Sequence, residues 1–205
     1  MSDSQEKRMA ENYEITQAIR IGDKEVVFGV DEKSEKPYFC AFYEKQFLFG
    51  YIKERYEDCV TSNDYVEIVE LFAQRVQEQC EKVRGEWDKV TVPRDKVTAE
   101  MCFPNDYSKS ILSKVVAVKP EALRPEYQSA ENQLIFITGG NGARANSRGT
   151  ACFCKNLYSG EDARWDRYDI QGEVKPEHLP EWAKERLTAI QKEQAEKEKK
   201  SREER

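Results

Sequence analysis

Few residues in this chain have the types and spacing that catalysis or metal binding requires. The single histidine, His178, stands between two prolines at the start of a predicted helix, where a surface or capping role is the common one. Cys152 and Cys154 would project both thiols from one face of a strand, which suits two small core residues. A zinc site needs two more ligands at close spacing; none lies nearby in sequence, although Cys102 or His178 could approach in space. The sequence therefore predicts a non-enzyme with no metal and no other cofactor.

The most unusual stretch is a loop at residues 138–149, TGGNGARANSRG, with four glycines and two arginines. It resembles phosphate-cradling loops, but it lacks their Gly-Lys-Ser/Thr ending and precedes a predicted strand, so no helix N-terminus is available for a phosphate. Two interpretations remain open. It is either a long flexible hairpin loop or a loop that contacts a partner through Asn141, Arg144 and Arg148.

A second candidate contact is the run Arg-Trp-Asp-Arg-Tyr at residues 164–168. On a strand, Trp165 and Arg167 would share one face, and Arg164 would lie on the other. Exposed Trp, Tyr and Arg side chains are typical of interfaces. A core tryptophan beside a solvated charged face explains the same run equally well.

The third candidate is the polar side of a long predicted helix. A continuous apolar stripe follows a capping-box-like start at Asp64 and Glu67, with Ser62 and Asn63 as alternative caps, and Gly85 suits the end of the helix. The stripe consists of Tyr65, Ile68, Val69, Phe72, Val76, Cys80 and Val83. The opposite side includes Glu67, Glu70 and Glu78. It is either simply solvated or a surface that imitates the phosphate array of nucleic acid and occupies a basic groove of a partner.

These candidates must be positioned by an α+β fold. We expect an antiparallel β-meander covered by one long helix, followed by a small β-rich domain and a C-terminal helix. The predicted strands are 13–20, 25–30, 38–43 and 46–52, then 115–118, 134–138, 150–155 and 163–169, with a further strand and turn near 87–96. The predicted regions are a disordered N-terminus at 1–12, a meander-plus-helix domain at 13–110, a β-rich domain with the glycine loop at 111–175, and a charged helix at 176–205.

Composition narrows the class of protein. The amino terminus lacks an apolar stretch, and no window approaches the length of a membrane helix, so we expect a cytoplasmic protein with no membrane contact and with reduced cysteines. Residues 1–138 carry 26 acidic and 19 basic side chains. That balance argues against broad nucleic-acid binding by this part of the chain.

Two stretches carry a resemblance. The first joins YEITQAIRIGDKEVVFGVDE (13–32) to SNDYVEIVELFAQRV (62–76), and the second begins with VVAVKPEALRPEYQ and ends with EWAKERL (115–187). Together they resemble small accessory proteins carried by conjugative elements, plasmids and phages of gut Firmicutes. The resemblance covers most of residues 13–190 and has no established catalytic motif to transfer. Members with known roles often counter host defence, and they include anti-CRISPR proteins that bind Cas9-type nucleases.

The resemblance implies a mobile-element accessory protein that inhibits a bacterial defence system, foremost a Cas9-type CRISPR effector, by direct non-catalytic binding. Its partner would be a protein or ribonucleoprotein such as a Cas nuclease, contacted through the acidic helix side or through the arginine-bearing loop. The alternative is a nucleic-acid-binding module of a conjugative element's replication or transfer machinery. In that case a basic patch would form from Arg144, Arg148, Arg164 and Arg167.

Overall fold

A computed structural model describes residues 7–48 and 51–203, with side chains for residues 7–45 and 54–193. The chain divides into two compact units, Met1–Lys89 and Val90–Arg205. Each unit contains a five-stranded antiparallel sheet and one long helix, so the predicted α+β class is confirmed. The division falls at residue 89, not at the expected residue 110, and the C-terminal helix belongs to the second unit. In the described part of the chain, no helix combines the length and apolar character that a membrane span requires.

The sheet of the first unit is a meander in which each strand pairs with the next along the chain. Its strands are β1 (Met9–Ala10), β2 (Tyr13–Ile21), β3 (Lys24–Val30), β4 (Tyr38–Leu48) and β5 (Tyr51–Ser62). The predicted hairpin turn between β2 and β3 is confirmed, with Gly22 at a φ of 64°. Strand β1 falls within the segment expected to be disordered; residues 1–6 of that segment lie outside the described residues.

The expected turn at Glu44 and Lys45 was wrong. Both residues continue β4, and their Cα atoms pair with those of Arg55 and Glu54 on β5. The run of Glu, Lys and Gln at residues 44–46 predicts a connection because it is polar. In a long two-stranded ribbon, however, cross-strand pairs of opposite charge are compatible with strand structure. The expected strand 46–52 is therefore the end of β4 and the beginning of β5, and residues 49–50 lie outside the described residues.

The side chains of β3 point alternately to the two faces of the sheet and contribute to an apolar cluster on each face. Val26 and Phe28 face the helix α1 (Tyr65–Trp87), where they pack with Ile68 and Phe72. Val27 faces the other side of the sheet. Successive side chains of a strand point to opposite faces, so one strand builds two apolar clusters. On the second face, Val27 packs with Ala10, Phe39, Ala41 and Tyr43.

The second unit has a sheet in the order β10-β6-β7-β8-β9. Its elements are β6 (Val115–Val118), the short helix α2 (Ala130–Gln133), β7 (Leu134–Gly139), β8 (Ala151–Asn156), β9 (Asp162–Asp166), β10 (Ile170–Glu173) and α3 (Glu181–Glu203). The expected strand near 87–96 does not form, since α1 runs on to Trp87 and residues 88–96 are irregular. The expected strand 163–169 stops at Asp166, and a 3-10 turn leads into β10.

Strands β6 and β7 are buried on both faces because they are central in this sheet. Val116 and Val118 pack against Ile135 and Ile137 on one face. On the other face, Ala183 and Ile190 of α3 cover a cluster that includes Val115, Ala117, Leu134 and Phe136. The apolar run at residues 115–118, which lacks alternation, therefore reads as a fully buried strand.

Candidate interaction surfaces

Helix α1 begins at a well-formed cap. The Asp64 carboxylate accepts hydrogen bonds from the backbone N–H of Val66 at 2.8 Å and of Glu67 at 3.3 Å. Ser62 Oγ donates to Glu67 Oε2 at 2.5 Å and also accepts from the Asp64 N–H at 3.0 Å. The expected start at Asp64 is therefore confirmed, and Ser62, expected as an alternative cap, takes the bond from the Asp64 N–H that Glu67 accepts in a capping box. These bonds satisfy N–H groups that a helix terminus otherwise leaves unpaired.

The solvent side of α1 carries a row of carboxylates, here called the acidic face: Glu67, Glu70, Glu78 and Glu81, all exposed. Gln74 Nε2 donates to Glu78 at 2.9 Å, and Gln77 Nε2 donates to Glu81 at the same distance. Pairs four residues apart are neighbours on a helix surface. Neutral donors therefore hold two of the carboxylates in place without cancelling their charge.

Basic side chains of the same region are largely removed from this surface. Arg75 is only 8% exposed and donates from Nη2 to the main-chain oxygen of Asp58 at 2.7 Å. Its guanidinium carbon lies 5.0 Å from the centre of the Phe42 ring. Lys82 pairs with Asp23 at 3.0 Å, and its hydrogen bond lowers the pKa of the Asp23 carboxyl. The acidic face is consequently negative over most of its length.

The buried side of α1 is rotated relative to the expected stripe. Ile68, Phe72 and Val83 are buried as expected, but Tyr65 and Val69 are exposed. Arg75 and Gln79, which the stripe does not include, are both buried. A carbonyl group freed by the bulge near Asp58, where φ is 51°, is the partner that allows Arg75 to be buried.

The glycine loop of the second unit is tightly built. Gly140 has a φ of 96°, and a Cβ there would lie 2.3 Å from the Ala151 oxygen. A Cβ on Gly142 would lie 2.1 Å from the Thr150 oxygen. Only glycine allows the loop backbone to approach the start of β8 so closely. Ala143 is fully buried in the core. The loop is therefore packed onto the sheet rather than extended into solvent.

Arg167 is the side chain that fastens this loop, and its expected role in partner contact was wrong. It is 2% exposed. Its Nη1 donates to the Gly142 oxygen at 3.3 Å, and its Nη2 donates to the oxygens of Asp106 at 3.0 Å and Lys109 at 3.3 Å. Its Nε donates to Asn105 Oδ1 at 2.9 Å. Burial lowers the pKa of the Arg167 guanidinium. A buried cation with this many acceptors is structural.

The loop's remaining polar side chains do reach the surface. Asn141, Arg144 and Arg148 are all exposed. Neither arginine forms an ion pair with any residue that the structure describes. A Cβ placed on Gly149 would lie 2.8 Å from Asn141 Cβ, so the two ends of the loop touch.

The Asp166 carboxylate links Arg164 on β9 to Thr150, the residue that follows the glycine loop. It accepts hydrogen bonds from Thr150 Oγ1 at 2.8 Å, Arg164 Nη2 at 3.0 Å and the Tyr168 hydroxyl at 3.0 Å. The donations from Thr150 and Tyr168 lower the pKa of the Asp166 carboxyl. Since Thr150 follows Gly149 directly, Arg164 and Tyr168 lie beside the end of the loop.

Phe153 belongs to the same surface and was not anticipated. It is 52% exposed, and Tyr168 is 54% exposed. The Cα of Phe153 pairs with that of Arg164 across β8 and β9, so their side chains are neighbours. The sequence could have indicated this exposure. Cys152 and Cys154 on either side are buried, and because successive side chains of a strand point to opposite faces, Phe153 faces outward. We call the set Asn141, Arg144, Arg148, Phe153, Arg164 and Tyr168 the arginine surface.

Trp165 lies on the opposite face of β9 from the arginine surface. It is half-buried, packs against the cluster that contains Ile135 and Cys154, and lines a cavity of about 500 Å³. The interpretation of Trp165 as a core residue is thus confirmed in part, since the half-buried ring packs on the core. Its contact role in the arginine surface is excluded by this orientation.

Cys152 and Cys154 are buried in the core and His178 is exposed, as the sequence predicts for residues without a catalytic or metal-binding role. Burial raises the pKa of Cys154 to about 12 and that of Cys102 to about 11. His178 is exposed in a 3-10 turn before α3. Within the described ranges, no three His, Cys, Asp or Glu side chains are grouped closely enough to hold a metal ion.

Comparisons with protein-family models, with curated proteins and with solved structures give no match for this chain. The two surfaces must accordingly be judged by their own geometry and charge.

Proposed function

We propose that this chain is a cytoplasmic accessory protein of a mobile genetic element that inhibits a Cas9-type CRISPR effector by direct, non-catalytic binding. The supporting observation is the acidic face, where four exposed carboxylates follow one side of α1. Of the three basic side chains of α1, Arg75 is buried and Lys82 pairs with Asp23, while Arg84 is exposed near the end of the helix. The proposal also draws on the resemblance to accessory proteins of such elements.

The length of the acidic face suits a nucleic-acid channel. Glu67 and Glu81 are separated by fourteen residues, or about 21 Å along a helix that rises 1.5 Å per residue. Such effectors hold a guide–target heteroduplex in a positively charged channel. A rigid row of carboxylates entering that channel would compete with phosphates for the same Lys and Arg side chains.

Exposed apolar side chains at the start of α1 also support contact with a partner. Val66 and Val69 are exposed near the first turn, beside the carboxylates of Glu67 and Glu70. Exposed apolar residues next to ordered charges allow a contact to gain both buried apolar area and electrostatic complementarity. The cap at Asp64 holds this first turn in a defined conformation.

Capture and cleavage assays together test the proposal. The tagged chain is incubated with a Cas9-type effector loaded with guide RNA, and bound effector and residual DNA cleavage are measured. We expect the effector to be retained and cleavage to fall as the chain approaches a one-to-one ratio. Absence of binding together with undiminished cleavage would refute the proposal for that effector.

A variant that neutralises the acidic face tests whether this surface binds the effector. Replacing Glu67, Glu70, Glu78 and Glu81 with Gln should abolish inhibition while preserving the helix. A matched control replaces four exposed glutamates outside the acidic face: Glu32, Glu35, Glu121 and Glu177. The control changes net charge by the same amount, so it should inhibit as the wild type does.

A second candidate function is supported by the arginine surface. Arg144 and Arg148 are exposed without ion pairs among the described residues, and Phe153 and Tyr168 offer exposed rings. Aromatic rings next to arginines are the elements with which proteins bind single-stranded nucleic acid. On this basis the chain would be a DNA-binding module of a conjugative element's replication or transfer machinery.

Gel shifts on single- and double-stranded DNA distinguish the two functions. The second function predicts binding that weakens steeply with salt and is lost in the double variant Arg144→Ala, Arg148→Ala. If the Arg144→Ala, Arg148→Ala variant still inhibits the effector, the inhibition is assigned to the acidic face and not to the arginine surface.

A further inference from the structure

A cavity lies on the face of the first unit's sheet that is opposite α1. Strands β1 and β5 are the two end strands of this sheet, and both contribute residues to the cavity wall. They approach each other there, because the Tyr56 hydroxyl of β5 donates to the main-chain oxygen of Met9 on β1 at 3.2 Å. We call this space the β1–β5 cavity. Its volume of about 360 Å³ is in the range of small-molecule sites.

Aromatic side chains form much of the wall of the β1–β5 cavity. Tyr13 and Tyr56 are partly exposed, so a ligand in the cavity can contact their rings. The buried Phe39 supports both, since its ring centre lies 5.0 Å from that of Tyr13 and 6.2 Å from that of Tyr56. The Tyr13 hydroxyl donates to the Lys36 oxygen at 2.9 Å, as the Tyr56 hydroxyl does to Met9. The two tyrosines therefore offer a ligand ring surface rather than a free O–H donor.

Two exposed carboxylates, those of Glu11 and Glu54, stand in the same wall. Glu54 Oε1 accepts from the Tyr43 hydroxyl at 2.6 Å and lies 3.9 Å from Lys45 Nζ. Glu11 forms no ion pair within the described part of the chain. Burial and the nearby charge of Glu11 raise the pKa of the Cys59 thiol, which lines the same cavity. Both carboxylates are therefore open to solvent and to a ligand.

The charge of the lining favours a positively charged ligand. Among the described residues of the lining, Arg55 is the single cation, and its Nε pairs with Glu57 Oε1 at 3.2 Å. The uncharged residues of the lining are Ala10, Tyr13, Phe39, Tyr56, Cys59 and Thr61. An anion would meet two carboxylates. A cation is attracted both by the carboxylates and by the negative faces of aromatic rings.

We propose that the β1–β5 cavity is a binding site for a small organic cation of the quaternary ammonium class. Its alkyl groups would contact the rings of Tyr13 and Tyr56, while Glu11 and Glu54 balance its charge. A primary ammonium suits this wall less well, because its three N–H donors need acceptors that ring surface does not supply. The site lies on the opposite face of the sheet from α1, so it does not depend on the proposed inhibition.

Titration of the nitrogen-labelled full chain with choline, followed by the NMR shifts of its amides, tests the site. We expect the largest shifts at residues of the cavity wall, among them Ala10, Glu11 and Tyr56. The comparison ligand is the neutral isostere of choline, in which a tert-butyl group replaces the trimethylammonium group. It has the same shape without the charge, so we expect it to bind about tenfold or more weakly.

A variant with both carboxylates neutralised tests the role of charge. Glu11→Gln combined with Glu54→Gln should weaken choline binding about threefold or more and leave binding of the neutral isostere unchanged. Glu121→Gln combined with Glu177→Gln is the matched control, because it removes two exposed carboxylates of the second unit. It should bind choline as the wild type does. The amide spectrum of each variant establishes that it is folded.

A variant that fills the space provides a second measurement. Cys59→Phe adds a ring at an exposed position of the wall and should prevent choline binding. Three outcomes would overturn the proposal. They are largest shifts outside the cavity wall or no shifts at millimolar choline, equal affinity for choline and its neutral isostere, and unchanged choline affinity in both folded cavity variants.

Discussion

Arg167 Nη1 donates a hydrogen bond to the main-chain oxygen of Gly142 at 3.3 Å, which joins the turn after β9 to the glycine loop. The same guanidinium reaches Asn105, Asp106 and Lys109. One buried arginine thus links the glycine loop to the segment at residues 105–109, in addition to the hydrogen bond from Ser110 Oγ to the Ala143 oxygen.

Replacing Arg167 with Met should destabilise the second unit. The apolar side chain leaves several buried acceptors without a donor, so we expect the free energy of unfolding to fall by about 3 kcal/mol. Urea denaturation followed by tryptophan fluorescence measures the change. Arg164→Met, at an exposed position on the preceding strand β9, should cost under about 0.5 kcal/mol. Equal effects of the two substitutions would contradict the structural role of Arg167.

Replacing Arg75 with Met should destabilise the first unit for a related reason. Arg75 Nη2 is the donor for the Asp58 oxygen, at a bulge where no strand partner can replace it. We expect a loss of about 2 kcal/mol in a denaturation experiment. Arg84→Met is the control because Arg84 is exposed on the same helix. A loss confined to the control, or shared equally, would argue against a buried donor.

These two arginines mark the limit of what the sequence could predict. Apolar periodicity located α1 and most of the strands, and Asp64 was correctly identified at the helix start. Periodicity treats arginine as a surface residue, so it could not reveal that Arg75 and Arg167 are buried. Their burial depends on carbonyl groups distant in sequence, and such partners are known only once the chain has folded.

The candidate surfaces also include features that the sequence could predict and features that it could not. Exposure of Glu67, Glu70, Glu78, Arg144 and Arg148 was predicted because charged side chains need a special partner to be buried. The cavity beside Trp165 was not predicted, because its walls come from α2, β7 and the turn after β8, which are brought together by the sheet. Pairing between Glu44–Lys45 and β5 was missed because a polar run is typical of a turn, and its cross-strand partners Arg55 and Glu54 are known only from the fold.

Thiol alkylation should follow the burial of the cysteines. Cys59 is exposed, whereas Cys40, Cys102, Cys152 and Cys154 are buried. A raised pKa lowers the thiolate fraction, and the pKa values of about 11 for Cys102 and about 12 for Cys154 keep both groups protonated at pH 8. Mass spectrometry after brief iodoacetamide treatment of the native protein should detect Cys59 first. Early modification of Cys154 would contradict the packing of β8.

Removing the cap of α1 should weaken the first unit modestly. Asp64→Ala deprives the N–H groups of Val66 and Glu67 of their acceptor. The expected loss is about 1 kcal/mol in the free energy of unfolding. Asn63→Ala, at the exposed residue just before the cap, should have little effect. A larger effect at Asn63 than at Asp64 would place the start of the helix elsewhere.

The most direct test of the proposed function is the dissociation constant between this chain and a guide-loaded Cas9-type effector. It is measured for the wild type, the variant with Gln at the four positions of the acidic face, and the matched control. We predict that the acidic-face variant binds about tenfold or more weakly, that the control binds as the wild type does, and that added salt weakens the wild-type complex. Equal affinity of all three proteins, or no measurable binding by the wild type, would contradict the proposal.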